Sequence, residues 1–136
     1  MNASNEEIVR RYFDQVWEQG DSATIDRLLS LSFVDHDAPP GFGTDRESHK
    51  RLVALMLDTM YNKHHRILAM VSDGEVIAVR HDMEWTQKAD FFGISASGKR
   101  LTMKGLDMYR VRDGQIVESW HCEDVAGVMR QAGPSS

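Results

Sequence analysis

The stretch RLTMKGLDMYRVRDGQIVESWHCE, residues 100–123, reads as two β-strands around a tight turn. Asp113-Gly114 supplies the turn, because both residue types tolerate the left-handed backbone of a two-residue hairpin loop. Successive side chains on a strand point to opposite faces. Met103, Gly105, Asp107, Tyr109 and Val111 therefore share one side, opposite Lys104, Leu106, Met108 and Arg110. On the second strand Val117, Ser119, His121 and Glu123 lie opposite Ile116, Glu118, Trp120 and Cys122. Both faces are mixed, so periodicity alone leaves open which one is inside. Folding about Asp113-Gly114 sets Asp107 nearly opposite His121, and the two are expected to hydrogen-bond. A carboxylate beside an imidazole raises its pKa and fixes its tautomer, which suits acid–base work near neutral pH.

Upstream, Asp73-Gly74 marks a second hairpin, joining strands at His65–Ser72 and Glu75–Gln87. Ile77, Val79, His81, Met83 and Trp85 form an apolar, concave face with one histidine in it. Residues 88–99 carry two glycines and read as a loop over one end of the sheet. The N-terminal part follows helical grammar. Ile8, Val9, Tyr12, Phe13, Val16 and Trp17 make one stripe between Asn5 and Glu18, and Gly20 ends it. Asp21 is placed to cap a second helix through Leu29, and a short strand is expected at Phe33–His36. Thr44 and Glu47 form a capping box for a third helix burying Leu52, Val53, Leu55, Met56 and Met60. Asp124 is placed to cap a final short helix closed by Gly133-Pro134. Helices followed by long antiparallel strands define the α+β class.

The bulk properties agree with this. A chain of 136 residues suits one domain over residues 1–136, with its core at about 5–133. A net charge of −5 with scattered Lys and Arg argues against nucleic-acid or membrane partners. No apolar run reaches a membrane span, and the polar start at Met1–Glu7 does not read as a signal peptide. The single Cys122 fits a reducing cytoplasm. No phosphate loop, dinucleotide fingerprint, nucleophile elbow or metal-ligand spacing occurs, so no cofactor and no metal are expected.

Several motifs resemble the SnoaL-like polyketide cyclases. They are Phe33-Val-Asp-His-Asp37 with Pro39-Pro-Gly41, Val76-Ile-Ala-Val-Arg80, and Phe91-Phe-Gly-Ile94 with Gly98-Lys-Arg100. Tyr109 to Glu118, ending in Trp120, completes the set. The resemblance covers Asn5 to Gly133. It implies the cone-shaped nuclear transport factor 2-like (cystatin-like) fold: a curved antiparallel sheet wrapped by N-terminal helices around an apolar pocket. It also implies ring closure by intramolecular aldol condensation, using an Asp on the last strand and a His on the preceding one. Here His121 and Asp107 hold those positions with the residue types exchanged. The base and the helix Tyr of the related ketosteroid isomerases fall at about His36 and Phe13, so a steroid isomerase is not expected.

The reading is a cofactor-independent cyclase or isomerase that moves a proton beside a carbonyl. His121 oriented by Asp107 would carry the proton, with His36 or a backbone N–H stabilising the enolate. Tyr12, Phe13, Trp17, His81, Met83, Trp85, Met103, Tyr109, Ser119 and Glu123 would contact a small hydrophobic or polyketide-like molecule. The alternatives are a non-catalytic binding module and a structural dimerisation domain whose pocket is filled by side chains. A homodimer or homotetramer is expected, its outer sheet face (Leu106, Met108, Ile116, Trp120) buried on a second copy.

Overall fold

The computed structural model describes residues 4–133. Pro134, expected to close the last helix, lies outside them. Helix α1 (Asn5–Arg11) starts at Ser4, whose hydroxyl accepts the Glu7 N–H, and continues as a π-helix over Tyr12–Glu18. The wider winding shows in the Gln19 N–H, which reaches back to the Asp14 carbonyl. Gly20, with φ of 78°, ends the segment. The expected second helix is reduced to a 3₁₀ turn (Ser22–Thr24) and one α-turn, α2 (Ile25–Leu28).

Strand β1 (Leu29–Asp35) follows, then α3 (Arg46–Thr59), β2 (Tyr61–Asp73), β3 (Val76–Thr86), β4 (Arg100–Arg112), β5 (Gln115–Glu123) and α4 (Val125–Ala132). The sheet order is β1-β5-β4-β3-β2, a curved, unclosed sheet. Every pairing is antiparallel except β1 on β5, which is parallel. Asp113 and Gly114 both have positive φ, as the two-residue turn requires. Asp124 caps α4 by accepting the Gly127 N–H. The 88–99 loop is pinned by Gln87, which is fully buried: its amide donates to the Ile94 carbonyl and accepts from Ser97.

The inward face of β4 holds Leu101, Met103, Asp107, Tyr109 and Val111, all buried, and the mixed strand is resolved that way. On β5 a bulge between the pairs Arg110↔Glu118 and Val111↔Ile116 adds one residue. It turns Ile116 inward, fully buried, so Ile116 does not belong to the outer face. Leu106 (64% exposed) and Met108 (44%) do lie outside. In α3, Leu55 is half exposed instead of buried. The cap is also corrected: Asp45, not Thr44, accepts the Ser48 N–H, because Asp45 is the last extended residue before the helix. No helix among the described residues is long and apolar enough to cross a membrane.

Asp45→Ala should therefore cost about 1 kcal/mol in urea denaturation. Thr44→Ala should change stability by less than about 0.5 kcal/mol. The reverse order would restore the capping box.

Candidate active site

The inward faces of β3, β4 and β5 form the floor of a hollow of about 80 Å³. The π-helical turn brings Tyr12, Phe13 and Trp17 over one side, and α3 brings His49, Leu52 and Met56 over the other.

Asp107 and His121 are Cα partners, so the register is the expected one. The expected hydrogen bond between them is absent, and each turns to a different neighbour. His121 Nε2 lies 2.8 Å from Asp35 Oδ1, and its Nδ1 lies 2.7 Å from Glu123 Oε1. Asp35 is paired in register with Ser119, whose small side chain leaves the diagonal to His121 open. The His121 backbone N–H is held by Asp37. Asp107 Oδ2 accepts the Tyr109 hydroxyl at 2.7 Å and lies 3.0 Å from His81 Nε2, the latter off the line of a good hydrogen bond. His81 reaches it because its register partner is Gly105. A Cβ there would sit 2.7 Å from His81 Nε2.

Two polar clusters thus face one apolar hollow. The first runs from the Tyr12 hydroxyl, 2.7 Å from His49 Nε2, through His49 and Asp35 to His121 and Glu123. The second runs Tyr109, Asp107, His81, His65, with His65 Nε2 2.9 Å from His81 Nδ1.

The charge states follow from these contacts. Burial pulls the His121 imidazole down, but the hydrogen bonds to Asp35 and Glu123 outweigh it and push it up to about 11. Burial likewise raises Asp35, yet the hydrogen bond from His121, with the His49 ring nearby, holds it well below the usual carboxylate range. Burial drives both the Tyr12 and Tyr109 hydroxyls up, so they stay protonated. His65 is lowered to about 4 by burial and by His81. His121 is therefore an imidazolium at neutral pH and His65 a neutral ring.

The other expected site residues divide clearly. Tyr12, Phe13, Trp17, His81, Met83, Met103, Tyr109, Ser119 and Glu123 all lie on the wall of the hollow. Trp85 does not: it is fully buried against Phe91 in a second apolar cluster. His36 does not either. Strand alternation puts Asp35 inside and His36 outside, where its ring stacks on Trp120 at 4.8 Å and lies 3.6 Å from Glu118. Asp35, His49 and His65 were not among the expected site residues. Asp35 shares a strand face with the buried Phe33, and His49 precedes Leu52 and Val53 by three and four residues, so both positions carried a periodic signal. Among the described residues no group of three or more His, Cys, Asp or Glu converges as a metal site would.

Comparison with known proteins adds the family. The sequence profile of the SnoaL-like polyketide cyclases matches residues 7–132. No curated protein matches significantly. Among solved structures, IdmH from Streptomyces antibioticus is 26% identical, with a TM-score of 0.84 over 97% of this chain and 100% of that one. TsrD from Streptomyces laurentii, at 19% identity, superposes with a TM-score of 0.86 over 98% of each chain. A SnoaL-like polyketide cyclase from Agrobacterium tumefaciens, at 18% identity, gives 0.80 over 96% of this chain and 99% of that one.

A group raised on folding stabilises the protein fully below its unfolded pKa and loses that contribution as pH rises through its folded value. For His121 the stabilisation should decline above pH ~6.5 and vanish near about 11. NMR titration of its ring should show no midpoint between pH 5 and about 9. A midpoint near the free-histidine value would remove the imidazolium from the site.

Proposed function

The chain belongs to the SnoaL-like polyketide cyclase family, and on that premise we propose that it moves a proton on carbon beside a carbonyl in a small, apolar, polyketide-like molecule. One observation carries the reading. Asp107 Oδ1 is buried and makes no hydrogen bond to the described protein, and the strand partner of Asp107 is the cationic His121. A free carboxylate oxygen next to a fixed positive charge is what enolate chemistry needs.

Asp107 takes the proton from the carbon next to the carbonyl, and the electron pair moves to the carbonyl oxygen. His121 stabilises that oxygen as an imidazolium. Its Nδ1–H faces Glu123, whose side chain is 28% exposed at the rim, so an incoming oxygen can share that donor. In a cyclase the enolate carbon then adds to a second carbonyl of the same molecule. The new alkoxide recovers the proton from Asp107, and no redox change occurs. The assignment differs from the sequence-based one: Asp107 is the base, and His121 supplies charge.

The apolar walls and the aromatic turn of Tyr12, Phe13 and Trp17 suit a flat, hydrophobic substrate. Leu106 and Met108 on the outer sheet face support self-association into a homodimer or homotetramer. The free Cys122 suits a cytoplasmic setting.

α-Tetralone, a small aromatic ketone with slowly exchanging protons beside its carbonyl, provides the test. In D2O the protein should catalyse its deuteration, followed by NMR. Asp107→Asn should reduce the rate by about 100-fold or more. His121→Gln should also reduce it while the fold persists by circular dichroism. An Asp107→Asn protein with the wild-type rate would end the proposal.

A further inference from the structure

The base is connected to the molecular surface by two imidazoles. His81 stands between Asp107 and His65, hydrogen-bonded to His65 Nε2 at 2.9 Å and 3.0 Å from Asp107 Oδ2, where a small turn of the ring completes the link. The His65 ring lies flat on Phe13, with centroids 4.5 Å apart and planes 5° apart. These two rings line the hollow on one side and a surface cleft on the other. Arg10, Asp14, Glu18, His64 and Ile67 complete that cleft.

The position of His65 is over-determined. Glu18 accepts its backbone N–H with one carboxylate oxygen and meets His64 Nδ1 at 2.8 Å with the other. His81 is placed by the missing side chain of Gly105. Between two neutral imidazoles one nitrogen donates and the other accepts. A concerted change of tautomer therefore carries a proton across the pair without creating a lasting buried charge.

The geometry points to His65 as the proton outlet of the active site: protons pass from Asp107 through His81 and His65 to water in the cleft beside Glu18 and His64. This rests on the reading of Asp107 as base. His65 is faced by Glu18, Asp14 and Arg10 from the first helix, His64 on its own strand, His81 and Asp82 on β3, and Asp107 on β4. Burial first, and His81 second, keep His65 neutral at pH 7, so it relays a proton without retaining it. His65 acts through His81 and is a positioning residue, not a catalytic one.

The outlet matters whenever a proton taken from carbon must exchange with solvent. The test uses α-tetralone deuterated beside its carbonyl, in H2O, with loss of label followed by NMR. His65→Ala should slow label loss roughly 10- to 100-fold with KM unchanged, and added imidazole should restore it saturably by entering through the cleft. His65→Gln, which keeps bulk and hydrogen bonding but cannot relay, should be equally slow and should not respond to imidazole. Wild-type rates in both variants would overturn the inference. So would a slow His65→Ala protein that imidazole does not restore, since that marks a structural role. If His65→Ala does not fold, His65→Gln decides between loss of kcat and no effect. A wild-type protein that loses no label contradicts the Asp107 base itself, and the outlet with it.

Discussion

The inward row of β4 is the constraint on which the rest depends. Leu101, Met103, Gly105, Asp107, Tyr109 and Val111 alternate toward one side of a central strand, so core and chemistry share a surface. Leu101 and Val111 anchor the strand in apolar packing at its two ends. Asp107 sits between them, where a charged group persists only with partners. Gly105 is the blank in the row. It lets the His81 ring cross the strand boundary and come within reach of Asp107.

The two polar clusters divide the electrostatic work. Asp35 and Glu123 hold His121 positive, because the gain from two carboxylates exceeds the cost of burying the ring. Across one strand spacing, Asp107 is satisfied on one oxygen by Tyr109 and left free on the other. Had the two residues bonded each other, the carboxylate would be quenched and the imidazolium would lose its fixed partners. Separation keeps both charges usable. The aromatic wall of Tyr12, Phe13 and Trp17 lowers the local polarity on one side of the hollow, which strengthens the action of both charges.

Much of the fold was legible, since hairpin turns and side-chain alternation are local. The Asp113-Gly114 turn placed Asp107 opposite His121 correctly, and the inward row of β3 follows from period-two patterning, whereas on β4 patterning separated the two rows without saying which one is buried. What escaped were events that break local periodicity. The β5 bulge turned Ile116 inward, and the π-helical winding of the first helix cannot be told from an α-helix by apolar spacing. In the site, the pairing of Asp107 with His121 was misread because register gives only the opposite neighbour, while both groups turned to same-strand and diagonal ones. Those diagonals open through Gly105 and Ser119, small residues whose consequence appears only in three dimensions. His36 was placed in the site by its match to the base position of the ketosteroid isomerases, but it lies one residue beyond Asp35, the residue that does face inward.

Locating the hydrogens by neutron diffraction of deuterated crystals near pH 7 tests the central claim most directly. The account predicts deuterium on both ring nitrogens of His121, directed at Asp35 and Glu123. It also predicts the Tyr109 O–D aimed at Asp107 and no deuterium on Asp107 Oδ1. A singly deuterated His121, or one whose N–D points to Asp107, would contradict it.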